Sequence, residues 1–107
     1  MEMIFYVEGD TLTAALSGEI DHHVAEQLRK DIDEEIAMCD TTNLIFDFSN
    51  VAFMDSSGIG MVLGRYKKVH GGGGTVTIRN ASRLVKQILD MSGVFTLMTY
   101  EDTESKG

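Results

Sequence analysis

Five consecutive residues, Leu44-Ile45-Phe46-Asp47-Phe48, narrow what this chain can fold into. The run is almost wholly apolar, too short for a helix, and flanked on both sides by segments of helical periodicity. It reads as a central parallel strand buried on both faces. A parallel strand needs crossovers that return the chain to the same end of the sheet, and the neighbouring segments supply them. Upstream, Val24, Leu28, Ile32 and Ile36 recur every four residues and predict an amphipathic helix over about 21–38, with Asp21 as its cap. Downstream, Ile59, Val62, Leu63, Tyr66 and Val69 predict a second helix over about 57–69. Ser82 can cap a third over about 82–91, closed by Gly93.

The remaining segments read as strands. Ile4-Phe5-Tyr6-Val7 and the alternating Leu12, Ala14 and Leu16 flank Gly9-Asp10, which is the signature of a β-hairpin, and Ser17-Gly18 breaks the second strand. Thr75 to Ile78 and Phe95 to Tyr100 supply two more. The expected fold is α/β: a mostly parallel sheet of about five strands, opened by a hairpin, in a single domain over 1–107 with a polar tail from about 101. Ser49 to Asp55 reads as a connector that packs down through Val51, Phe53 and Met54, and Gly71 to Gly74 as a flexible loop. If the second and third strands run parallel, Asp21, Ser56 and Ser82 share one edge of the sheet and the glycine run lies at the other.

Composition excludes several functions. Nine Lys and Arg stand against 17 Asp and Glu, a net charge of -8, so nucleic acid and anionic membrane are not expected partners. No segment reaches the roughly 18 continuous apolar residues of a membrane span, and no signal peptide is visible, so the expected location is the cytoplasm. Cys39 is the lone cysteine, which rules out an intrachain disulfide and a paired-cysteine zinc site. Adjacent His22 and His23 point about 100° apart on a helix and are poorly spaced as metal ligands. Neither a metal nor a cofactor is expected.

The chemistry concentrates in Phe53-Met54-Asp55-Ser56-Ser57-Gly58-Ile59-Gly60, between a strand and a helix. Part of this is an N-cap, for which one Ser or Asp suffices. The segment offers three, and then spends Gly58 and Gly60 in the first helical turns, where each costs about 1 kcal/mol against alanine. Glycine there lets something approach the backbone closely, and a glycine-bordered helix start is a ready anion site. A phosphate on Ser56 would be tolerated for the same reason, adding nearly two negative charges to the surface shown to a partner. A dinucleotide site fails the spacing of the glycine fingerprint, and a serine hydrolase would need an elbow and a late histidine that this chain lacks. No enzyme is expected. Asp47 in the buried strand would suit a phospho-accepting receiver domain, but the hairpin start and missing acidic cluster argue against one. The seven methionines read as core filler, with Met61 a candidate for exposure near the site.

Four blocks then occur in register: Gly18-Glu19-Ile20-Asp21-His22-His23, the Phe53 to Gly60 segment, Gly64-Arg65-Tyr66-Lys67, and Asp90-Met91-Ser92-Gly93-Val94-Phe95. Together they resemble the anti-sigma factor antagonists of endospore-forming bacteria, in the STAS domain family, over about residues 3 to 100. The resemblance implies a regulatory binding protein. Unphosphorylated, it would bind an anti-sigma factor that is also a serine kinase of the histidine-kinase-like ATPase type, and so release the sporulation sigma factor F. Phosphorylation of the first serine after the motif aspartate, Ser56, would end that binding, and a PP2C-type phosphatase would restore it. Asp21, Asp55, Ser57, Gly58, Ile59 and Gly60 would form the docking surface. The alternatives are a STAS module of another stress-sigma pathway and a small-ligand or nucleotide-binding module using the same helix start. Family members usually continue into a further C-terminal helix, where this chain has Glu101 to Gly107.

Overall fold

A computed structural model describes residues 2–103. The elements run β1 (Glu2–Glu8), β2 (Thr11–Ile20), α1 (His22–Cys39), β3 (Asn43–Met54), α2 (Ser56–Gly71), β4 (Val76–Arg79), α3 (Arg83–Met91) and β5 (Thr99–Glu101), with a single 3-10 turn at Val94–Thr96. The five strands form one sheet in chain order. The β1–β2 pair is antiparallel and every later pair parallel. The expected α/β fold with an opening hairpin is therefore present, and the caps of its three helices are Asp21, Asp55 and Ser82.

Strands taken in chain order with right-handed crossovers place every helix on the same side of the sheet. The burial pattern agrees. Leu12, Leu44 and Val76 lie in register, as do Ala14, Phe46 and Ile78, and all six are buried in one cluster with Leu28, Ile32, Val62 and Leu89 from the helices. This corrects the expectation for the central strand. Leu44, Phe46 and Phe48 are buried, while Ile45 and Asp47 are only half-buried on the opposite face, beside the exposed Ile4 and Tyr6 of β1. The run looked doubly buried because Ile45 is apolar without being covered.

Three other expectations change. The Ser17-Gly18 break does not end the strand: register shifts flank the pair, the extra residues lie on the facing strand β3, Gly18 takes φ +97°, and β2 continues to Ile20. Ser49 to Met54 likewise belongs to β3, where Ser17 pairs with Asn50, Glu19 with Phe53 and Ile20 with Met54. Past Phe48 the buried positions fall every third residue, at Val51 and Met54, because register shifts rotate the strand; that period hides it from an alternation test. At the chain's other end, the Phe95 to Tyr100 segment opens with the 3-10 turn and becomes strand only at Thr99. Glu101 pairs with Arg79 rather than starting the tail, and Thr103 bonds to Asn80; the rest of that tail lies outside the described residues.

The glycine run is built in rather than free. Gly71 ends α2, Gly73 takes φ +87°, and Gly74 is buried where a Cβ would run into the Thr42 carbonyl. This turn sits with Asp10, whose carbonyl accepts from the Thr42 and Asn43 amides, at the edge away from the helix starts.

Candidate functional site

The parallel β2–β3 pair brings two helix starts side by side. Ile20 and Met54 are register partners, and the Asp55 amide donates to the Ile20 carbonyl at 3.2 Å. The chain leaves each strand through an extended aspartate that turns into a helix. The Asp21 carboxylate accepts from the Val24 amide at 2.9 Å, and Asp55 from the Ser57 amide at 2.8 Å. Each satisfies a first-turn donor that would otherwise lack a partner, which explains an aspartate at both exits.

With Asp55 as the cap, Ser56 is the first residue of α2 and is exposed; its hydroxyl has no hydrogen-bond partner among the described residues. Ser57 is half-buried, and its Oγ lies 3.5 Å from His22 Nδ1, a long contact between the two helix starts. The glycines divide sharply. A Cβ on Gly58 would stand 2.9 Å from Met54 Sδ and 3.3 Å from Ile20 Cγ2, so this glycine lets α2 lie close on the ends of β2 and β3. Gly58 and its neighbour Ile59 are both buried, which places them beneath the expected docking surface rather than on it. Met61, the candidate for exposure, is also buried. Gly60 is exposed and Gly64, one turn on, half-buried, and a Cβ on either would meet nothing within 4 Å.

Two features of the site escaped the sequence reading. Phe53, expected to pack down, is 44% exposed beside Asp55 because the rotated end of β3 turns it outward. The second is a groove of about 340 Å³ between α1 and α2, which opens at Ser57 and His22 and runs past Gly60 and Gly64 to Arg65. Arg65 is 6% exposed and lies 2.7 Å through Nε from Asp33 Oδ1, an ion pair clamping the two helices. The contact is charge on charge: neither Nε nor Oδ1 has an aligned hydrogen bond, and Nη1 reaches the Met61 carbonyl only at 3.4 Å. Burial lowers the Arg65 pKa from the ordinary guanidinium value, and the Asp33 charge opposes that shift. Spacing of apolar residues could not reveal this groove, since its lining mixes charged residues and glycines with Ala25 and Met61 from two different helices.

A STAS domain model matches residues 2–107. The chain belongs to the STAS domain family. This STAS domain is 40% identical over 93 residues to an anti-sigma F factor antagonist of Paenibacillus polymyxa, covering 87% of the chain and 80% of the relative. It is 35% identical over 88 residues to the anti-sigma F factor antagonist of Lysinibacillus sphaericus, covering 82% and 75%. Among solved structures, the anti-sigma factor antagonist SpoIIAA in its unphosphorylated form superimposes with a TM-score of 0.74 at 31% identity, over 98% of this chain and 91% of that one. The phosphorylated form of the Bacillus protein gives 0.75 at 31%, over 98% and 93%.

Among the described residues of the STAS domain, no helix is long and apolar enough to cross a membrane. Among the described residues, no group of three or more His, Cys, Asp or Glu side chains is placed to hold a metal ion.

Proposed function

We propose that this STAS domain is an anti-sigma factor antagonist of the sporulation pathway, switched by phosphorylation of Ser56. In its unphosphorylated form it binds an anti-sigma factor that is also a histidine-kinase-like serine kinase, and the sigma factor, sigma F, is released. The kinase transfers the γ-phosphoryl group of ATP to Ser56 Oγ, the hydroxyl proton leaves, and the complex separates. A PP2C-type phosphatase hydrolyses the ester and returns the binding form in the cytoplasm.

The observation that carries this reading is the free hydroxyl of Ser56 at the exposed first position of α2, next to a cap already supplied by Asp55. A kinase can reach that oxygen without breaking any bond that holds the fold. The free amides and positive end of the helix would accommodate the phosphate, so the backbone would change little. That this chain superimposes equally on the two forms of its relative supports this. The added charge instead alters the surface. Asp21, Asp55, Ser57 and Gly60 around Ser56 form the docking face, with Phe53 as its exposed apolar member. Placing a dianion among two carboxylates there repels whatever acidic or apolar surface had docked.

The test is binding to the cognate anti-sigma kinase by the wild type, Ser56→Ala and Ser56→Asp. ADP-dependent binding by the first two and its loss in the third is the expected result. Equal binding by all three, with phosphate appearing on another residue, would move the site. No binding by any would remove the function.

A further inference from the structure

Gly60 and Gly64 lie one turn apart on an ordinary stretch of helix, where no positive φ calls for glycine. A methyl group on either would touch nothing in this chain. Gly58 is accounted for by internal packing; these two are not. They leave a strip of bare helix backbone as the floor of the α1–α2 groove. At its inner end lies Arg65, more than nine-tenths buried and paired through Nε with Asp33, with no partner for Nη2 among the described residues. Arg29 lines the wall from α1, half exposed, tied only to Glu26 at 3.4 Å. In a protein of net charge -8, the lining of this groove gathers two guanidinium groups and His22 with one carboxylate, Glu26, while Asp33 pairs with Arg65 from outside the lining.

We infer that the α1–α2 groove receives an acidic side chain of the protein partner, its backbone lying over Gly60 and Gly64 and its carboxylate reaching Arg65 and Arg29. Charge complementarity selects the occupant: a guanidinium with donors to spare is satisfied by a carboxylate, and its fork geometry suits one. The bare floor lets the partner's main chain come close enough for that reach. Gly64 lines the groove beside Arg65, so a larger side chain there obstructs the anchor while leaving both members of the ion pair in place.

The inference rests on the partner-binding reading above, and its test separates the two. Binding to the cognate anti-sigma kinase is measured for the wild type, Gly64→Leu, Gly64→Ala, Arg29→Glu and Glu26→Gln, with thermal unfolding of each variant alone. The expected result is a loss of about tenfold or more for Gly64→Leu and Arg29→Glu, a smaller loss for Gly64→Ala, and tighter binding for Glu26→Gln. The two Gly64 variants should unfold at or above the wild-type temperature, and the two charge variants close to it, because the Arg29–Glu26 pair they break is exposed. Wild-type binding that survives Gly64→Leu unchanged overturns the groove while leaving the antagonist reading intact. Tighter binding by Arg29→Glu together with weaker binding by Glu26→Gln would mean a basic occupant, and no response to either an uncharged one; both overturn the inference. If the wild type itself does not bind, the antagonist reading falls and this inference falls with it.

Discussion

Removing Asp33 would strand the most deeply buried charge among the described residues. The Arg65 side chain is 7% exposed and that of Asp33 22%, and Nε sits 2.7 Å from the carboxylate. Breaking a buried pair by deleting one partner costs about 3–5 kcal/mol, because the survivor stays desolvated without compensation. Asp33 keeps some solvent contact, so the cost belongs at the lower end, about 3 kcal/mol. The second contact, from Lys68 at 3.4 Å, has a half-exposed ammonium and adds at most about 1 kcal/mol. Asp33→Ala is thus expected to lower stability by about 3 kcal/mol, read as a urea midpoint falling by roughly 2 M for a slope near 1.5 kcal/mol/M. Asp33→Leu combined with Arg65→Met removes both charges and replaces them with apolar volume. It should recover to within about 1 kcal/mol of wild type, since no unpaired ion is left. Urea unfolding followed by far-UV circular dichroism measures all three proteins. A single variant within about 1 kcal/mol of wild type would refute the reasoning, as would a double variant no better than the single one.

Two further outcomes follow from particular contacts. Gly58→Ala should destabilise by about 1–3 kcal/mol through overpacking against Met54 and Ile20, whereas Gly60→Ala should stabilise by about 0.5–1 kcal/mol through helix propensity; chemical denaturation ranks the pair, and equal effects would contradict the packing difference. The Tyr100 phenol is pushed up to about 12, first by burial and then by its hydrogen bond to Asp102 and that residue's charge. Its folded pKa lies above the unfolded value, so its stabilising contribution is complete below about pH 10 and is lost as pH rises towards 12. Absorbance titration at high pH should show a late tyrosine that Asp102→Asn moves earlier.

The architecture was legible because its signals are periodic. Val24, Leu28 and Ile32 mark a helix face, and Leu12, Ala14 and Leu16 mark a strand, whatever surrounds them. The segment from Ser49 to Met54 was not, because bulges destroy the alternation that would have announced a strand. At the site, the order Asp-Ser-Ser at a strand exit was enough to pick out the helix start, but not to say which residue caps it. That depends on Asp55 taking the extended conformation, a tertiary consequence of its bond to Ile20. Chain order also could not separate the glycines: Gly58 is adjacent to Met54 and Ile20 only in space. Similarly, Asp33 and Arg65 lie 32 positions apart, and nothing in either residue's neighbourhood announces the pair.

The strand order has a bearing on how the molecule is made. Every strand pairs with the strand before it in the chain, so none has to be inserted between two that have already joined. Synthesis from the amino terminus can therefore extend the sheet in one direction, with β3 laid on the hairpin, β4 on β3 and β5 on β4. Each advancing edge carries unpaired backbone amides that invite pairing with another chain. Here such an edge stays bare only for the time taken to complete the next crossover. Both aspartate-capped exits come early in this sequence of events, so the candidate docking surface is in place before the last helix and strand have been added.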